Sequence, residues 1–237
     1  MRRPAANTGR MDVDPAHWAW LEARREAAPF AATIFVANVA LALVSRRAGW
    51  ELFGAEDWWV WLAISVPSAV LVATFWVGPG RMGLGERRRE LAIGLLALVS
   101  VGTAAGIVCL VVTLAHWEPG GLQLLASAAV VLLTNVVTFG LAFWELDDDG
   151  PVARRLAASR EHPDFQFPQD ENPQLARPGW SPALPDYVYL SVTNSFAFSP
   201  TDAMPLTHRA KLVMAIEAAV SALTVLIVAA RAINVMG

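Results

Sequence analysis

Five stretches of this chain are apolar for nearly long enough, or long enough, to cross a lipid bilayer, and that constraint comes before any other. They cover residues 29–45, 58–77, 91–115, 122–146 and 212–230. A hydrocarbon core about 30 Å thick needs roughly 17 to 25 such residues at ~1.5 Å each. In lipid every backbone polar group must be satisfied internally, so spans of this kind are helices. With 55% hydrophobic and 16% charged residues, the chain is too apolar for an ordinary soluble domain. The expected fold is an all-α membrane protein with five transmembrane helices and the lipid bilayer as its solvent.

Tryptophan supports these limits, because indole prefers the headgroup level. Trp50, Trp58 and Trp59 bracket the first turn, Trp76 closes the second stretch, and Trp117 and Trp144 mark the ends of the third and fourth. The division that follows is a cytoplasmic segment 1–28, a four-helix region 29–146, an acidic proline-rich loop 147–185, and a C-terminal unit 186–237. The first thirty residues lack a continuous apolar core and a small-residue cleavage site, so no removable signal peptide is expected. Lys and Arg set orientation. Fifteen fall on the side holding the N-terminus, the second loop and the fourth loop, against Arg46, Arg47 and Arg231 on the other. The expected location is a bacterial cytoplasmic membrane, with the N-terminus in the cytoplasm.

Several residues within the spans call for partners. Gly102 and Gly106 form a G-x-x-x-G pair that lets a neighbouring helix approach closely. Thr134, Asn135 and Thr138 lie near the middle of the fourth span, where Asn135 either bonds another helix or lines a hydrated path. Glu217 sits two to three turns into the last span. An ionisable residue there is a functional hypothesis by default, since a charge in lipid is costly unless paired or wet. No basic residue stands three or four positions from it, so its partner must come from another element. Burial in neutral form and solvation at the interface are the plain alternatives.

Connector 147–185 opens on Asp147, Asp148 and Asp149 and is rich in proline. It reads as extended and solvent-exposed, and its aspartates as a solvated run rather than a calcium loop, because spaced ligands are missing. The single cysteine, Cys109, permits no intrachain disulfide. No nucleophile elbow, phosphate loop or metal-ligand spacing occurs, so no enzyme, metal site or cofactor is expected. A net charge of −3 gives no reason to expect a nucleic-acid partner.

Residues 187–198 are largely apolar but too few to cross, and they end on Ser199-Pro200-Thr201-Asp202. A re-entrant helix fits that length, as does a surface amphipathic helix or a buried plug. Hydroxyls of Ser195, Ser199 and Thr201 are oxygen ligands able to replace water around a cation.

These residues also carry a resemblance. Asp186, Tyr189 and Ser191 match D-x-x-Y-x-S, Asp202, Pro205 and Thr207 match D-x-x-P-x-T, and Ala215, Glu217, Ala218, Leu226, Ala229 and Arg231 follow at matching positions. In this order they resemble the pore helix, filter surround and inner helix of simple bacterial potassium channels. The whole chain, with D-F-x-F-P at 164–168, also resembles an uncharacterised family of bacterial five-helix membrane proteins. The resemblance implies a pore-like hairpin, a homo-oligomer, and a monovalent cation as the passing species. It places Ala197, Phe198, Ser199, Pro200, Thr201 and Asp202 at the filter and Glu217 on the inner helix; with Asn135, read above from the fourth span alone, Glu217 is an intramembrane polar group. Where the channels have T-V-G-Y-G, this chain has A-F-S-P-T. Both glycines that let successive carbonyls face an ion are missing, so a standard potassium filter is not expected. The family's loop enters from outside, whereas the charge count puts this one on the cytoplasmic side. The alternative is a non-conducting protein whose loop is a structural plug or a partner-binding surface.

Overall fold

A computed structural model describes residues 15–52, 55–75, 86–116, 119–157, 163–197 and 203–236. The eight helices among the described residues are α1 (Pro15–Ala48), α2 (Trp58–Thr74), α3 (Glu86–His116), α4 (Gly121–Leu146), α5 (Pro151–Leu156), α6 (Pro168–Glu171), α7 (Leu184–Ala197) and α8 (His208–Met236). Two antiparallel pairs, β1 (Glu51–Leu52) with β2 (Ala55–Glu56) and β3 (Phe165–Gln166) with β4 (Met204–Pro205), clip loops together. The protein is therefore all-helical in its body. Four helices are long and apolar enough to cross a membrane, over His17–Ala48, Arg87–His116, Gly121–Asp149 and His208–Ala229. The fifth expected span, α2, is shorter at 17 residues.

Helix α4 is the axis of the bundle. It packs against α1, α3, α7 and α8, while α2 lies between α1 and α3. Two-thirds of its apolar window is buried, against one-third in α1, α3 and α8. The outer helices turn Val36, Val66, Leu98, Val101 and Leu226 outward, and Leu122 at the start of α4 is also exposed. In water so many exposed apolar side chains would drive association, whereas in a bilayer they are the solvated surface. This is the surface of an integral membrane protein.

Gly102 and Gly106 face α2. A Cβ on Gly102 would stand 3.2 Å from Ile64 Cγ1, and one on Gly106 3.6 Å from both Ile64 and Trp61. The two missing side chains let a bulky Trp61, fully buried, fit between the helices. A tighter approach joins α4 to α7, where a Cβ on Gly140 would come within 2.9 Å of the Val188 backbone.

Helix α1 begins at Pro15, well before the span boundary read from the sequence. Its polar first half hides an apolar stripe of Ala19, Trp20, Ala23 and Ala27, all buried. Glu22 and Glu26 on the other side bind Arg155 of α5. Pro29 lies within the helix, where it cannot donate to the preceding turn, and Thr33 Oγ1 donates to its carbonyl at 2.9 Å.

The connector differs most from expectation. Asp147 and Asp164 are completely buried, so the start of the segment and residues 163–167 fold onto the bundle, while most of residues 171–181 are exposed as expected. Asp147 Oδ1 accepts from the backbone N–H groups of Asp164 at 2.7 Å and Phe165 at 3.1 Å, and the Tyr187 hydroxyl bonds Oδ2. Positive φ at Asp148, Asp149 and Gly150 turns the chain sharply enough to aim it there. Arg154 Nη1 donates to the Asp147 carbonyl at 2.8 Å, and its guanidinium lies 5.1 Å from the Tyr187 ring centre. Phe143, Phe165, Phe167 and Tyr187 then pack ring against ring at 5.1 to 6.3 Å. A run of consecutive aspartates hides this arrangement, because only the first of the three turns inward.

Candidate functional site

Helix α7 starts beside Asp147, crosses α4 at Gly140 and reaches the level of Val136 and Asn135. Helix α8 runs alongside both. At that level Glu217 is fully buried, and three side chains of α7 close on its carboxyl. Asn194 Nδ2 bonds Oε2 at 2.6 Å, Ser195 Oγ bonds Oε1 at 3.0 Å, and Ser191 Oγ also contacts Oε1. Residues 191, 194 and 195 share one helical face by their spacing of three and four. That face is polar and buried, while Tyr189 and Phe196 on the other are more than half exposed.

The contacts extend through α4 to α1. Asn135 Nδ2 donates to Ser221 Oγ at 2.9 Å and lies 3.4 Å from the Glu217 carbonyl. Next to it on α4, Thr134 Oγ1 accepts from Asn38 of α1 at 3.0 Å. Asn135 Oδ1 and Thr138 Oγ1 are buried without a hydrogen-bond partner among the described residues. A layer of polar groups thus crosses four helices of an otherwise apolar bundle. The groups that touch the Glu217 carboxyl are all uncharged.

A second polar cluster closes the end of the bundle where α7 begins. Arg88 and Glu145 form a buried ion pair at 2.8 Å. Asp164 accepts from Thr207 Oγ1 and from Arg209 Nε and Nη2. Burial alone would push its carboxyl up, but the Arg209 and Thr207 hydrogen bonds and the Arg209 charge outweigh burial and hold it below its ordinary value. At the opposite end Asp57, just before α2, is 1% exposed. Burial pushes its carboxyl up to about 6 despite hydrogen bonds from Trp61 and Gln123.

Of the residues expected at the filter, Ala197 is the exposed last residue of α7, and Phe198, Ser199, Pro200, Thr201 and Asp202 lie outside the described residues. The structure brings Glu217 and Asn135 into one cluster. Among the lead-in residues, Asp186 caps its own helix by accepting from Ala183 N at 2.8 Å, Tyr189 points outward, and Ser191 reaches Glu217. Asn194, Ser221 and Tyr187 were not singled out from the sequence. The signal lay in pairing two spacings, S-x-x-N-S on α7 and E-x-x-x-S on α8, each a single helical face.

Comparison with known proteins finds no matching family, no matching curated protein and no matching solved structure.

Proposed function

We propose that this is a five-span protein of a bacterial cytoplasmic membrane that passes a monovalent cation beside the α7–α8 hairpin, as a homo-oligomer. The observation that carries the reading is the lone Glu217 carboxyl at mid-bundle, ringed by hydroxyl and amide groups of a half-length helix. A carboxyl with no basic partner in a span suits the handling of a small cation.

Other contacts support the finer points. Trp58 meets Arg46 at one end of α2 and Phe75 meets Arg88 at the other, so α2 runs between the same two ends as its neighbours and serves as the fifth span. By Ser191, midway along it, α7 is level with Val136, eleven residues of α4 from Asp147 and ~17 Å of helix rise. The chain is then back at β3 by Met204. The return to the same end supports a re-entrant reading of α7. Measuring cation flux into liposomes tests the proposal. Flux of at least one alkali cation by an oligomeric protein is expected; a monomer passing none would end it.

The second reading is a non-conducting protein in which α7 is a plug. Its support is that Ser191, Ser195 and Glu217 are all sealed within one chain. Under that reading Glu217→Gln changes stability or association and no permeability.

A further inference from the structure

The hydrogen atoms around Glu217 can be counted. Asn194 Nδ2 spends its two on Met214 O at 2.9 Å and on Glu217 Oε2 at 2.6 Å. Ser195 has one, directed at Oε1. Ser191 also has one, yet its Oγ contacts two acceptors, Val136 O at 2.7 Å and Glu217 Oε1. If the carboxyl is ionised, one of these contacts sets two oxygens together with no hydrogen between them. If Oε1 carries a proton, it donates to Ser191, and Ser191 donates to the Val136 carbonyl. Only the second arrangement gives every contact a hydrogen.

We propose that Glu217 is a resident proton-binding site, and that its proton is exchanged for an alkali metal cation held by the carboxylate with Ser191 Oγ, Ser195 Oγ and Val136 O. The geometry supplies both halves. The Glu217–Ser191–Val136 chain fixes the proton at a stated atom. When that proton leaves, nothing charged among the residues touching the carboxyl replaces it: these are Ser191, Asn194 and Ser195 of α7, and behind them α4 brings only the Val136 carbonyl to Ser191 and the Asn135 amide to the Glu217 main-chain carbonyl. An unpaired carboxylate at this depth is costly, so a cation must enter as the proton departs. One proton out for one monovalent cation in keeps the layer neutral. Ser191 Oγ and Ser195 Oγ both meet Oε1, Val136 O meets Ser191 Oγ at 2.7 Å, and Oδ1 of Asn135, the residue before Val136, is buried without a hydrogen-bond partner among the described residues. This inference rests on the cation-handling reading and adds the competing ligand.

Infrared difference spectroscopy of the full-length protein in liposomes tests it. The expected result is a protonated-carboxyl C=O stretch in choline buffer that is absent from Glu217→Gln and is lost in saturating Li+, Na+ or K+. The amide introduced by Glu217→Gln is an uncharged isostere able to donate to Ser191, so this variant is expected to keep its thermal midpoint while Glu217→Ala does not. Absence of the band from the difference between wild type and Glu217→Gln overturns the proposal, as does a band that none of the three cations diminishes. Flux in the same liposomes bears separately on conduction: a cation-sensitive band without flux leaves the exchange site standing and removes the channel.

Discussion

Two aspartates at opposite ends of the bundle titrate with opposite consequences. Asp57 has a folded value near 6, above its ordinary value of 3.8, so the fold binds its proton more tightly than the unfolded chain does. Its contribution is fully present below the unfolded value and is lost as pH rises through about 6, a change of about 3 kcal/mol. Thermal unfolding in detergent between pH 4 and 7 should therefore show the wild type losing stability up to just above pH 6 and levelling off beyond it, and Asp57→Asn should flatten the loss. Asp164 works the other way. Its folded value lies below the ordinary one, so its stabilisation is present above the ordinary carboxylate range and lost as pH falls through the lower folded value. Removing the partner with Arg209→Ala leaves a buried acid unpaired, with an expected cost of about 3 kcal/mol, read as a lowered midpoint at pH 7 that partly recovers on acidification. Neither role was legible from composition. Asp57 looks like a loop residue and Asp164 like part of a solvated acidic segment, and only the fold shows that each is walled in.

At the level of elements, the long helices were legible and their partners were not. Helices α3, α4 and α8 begin and end within a few residues of their apolar stretches, because length and hydropathy alone decide them. The first half of α1 escaped notice because Glu22, Arg24, Arg25 and Glu26 interrupt its hydropathy, although Ala19, Ala23 and Ala27 recur at helical spacing. The G-x-x-x-G pair was visible and does what such pairs do, but the sequence could not say that Ile64 and Trp61 fill the space. Gly140 gave no such warning, since its partner Val188 is 48 residues away. Gly140→Ala puts a carbon against backbone that has little freedom to yield, so a loss of about 1 to 3 kcal/mol is expected. Gly94 has open space around its α-carbon, and Gly94→Ala should be neutral or slightly stabilising in the same melting experiment.

For the whole molecule, the charges divide by end. Arg88, Arg89, Arg154, Arg155 and Arg209 gather around the connector and the start of α7, whereas Arg46 stands by Trp58 at the opposite end. The charge asymmetry read from the sequence is the ground for proposing that the crowded end faces the cytoplasm. Asp149, with a side chain 80% exposed, is suited to a test. In a Cys109→Ala background, Asp149→Cys should resist a membrane-impermeant thiol reagent in intact cells and react once the cells are opened. Reaction in intact cells would reverse the assigned orientation, and with it the side from which α7 enters.

The polar face of α7 also sets an order of assembly. Ser191, Asn194 and Ser195 leave the ribosome before Glu217, which follows Ser191 by 26 residues. At 14 residues α7 is too short to hold a transmembrane position alone, and its three polar side chains would find little in lipid to satisfy them. Helix α8 would in turn bring an unmatched carboxyl. On the re-entrant reading proposed above, each segment is a poor substrate for membrane insertion by itself and an acceptable one beside the other, so α7 and α8 are expected to enter the bilayer as a pair, once α8 has been made.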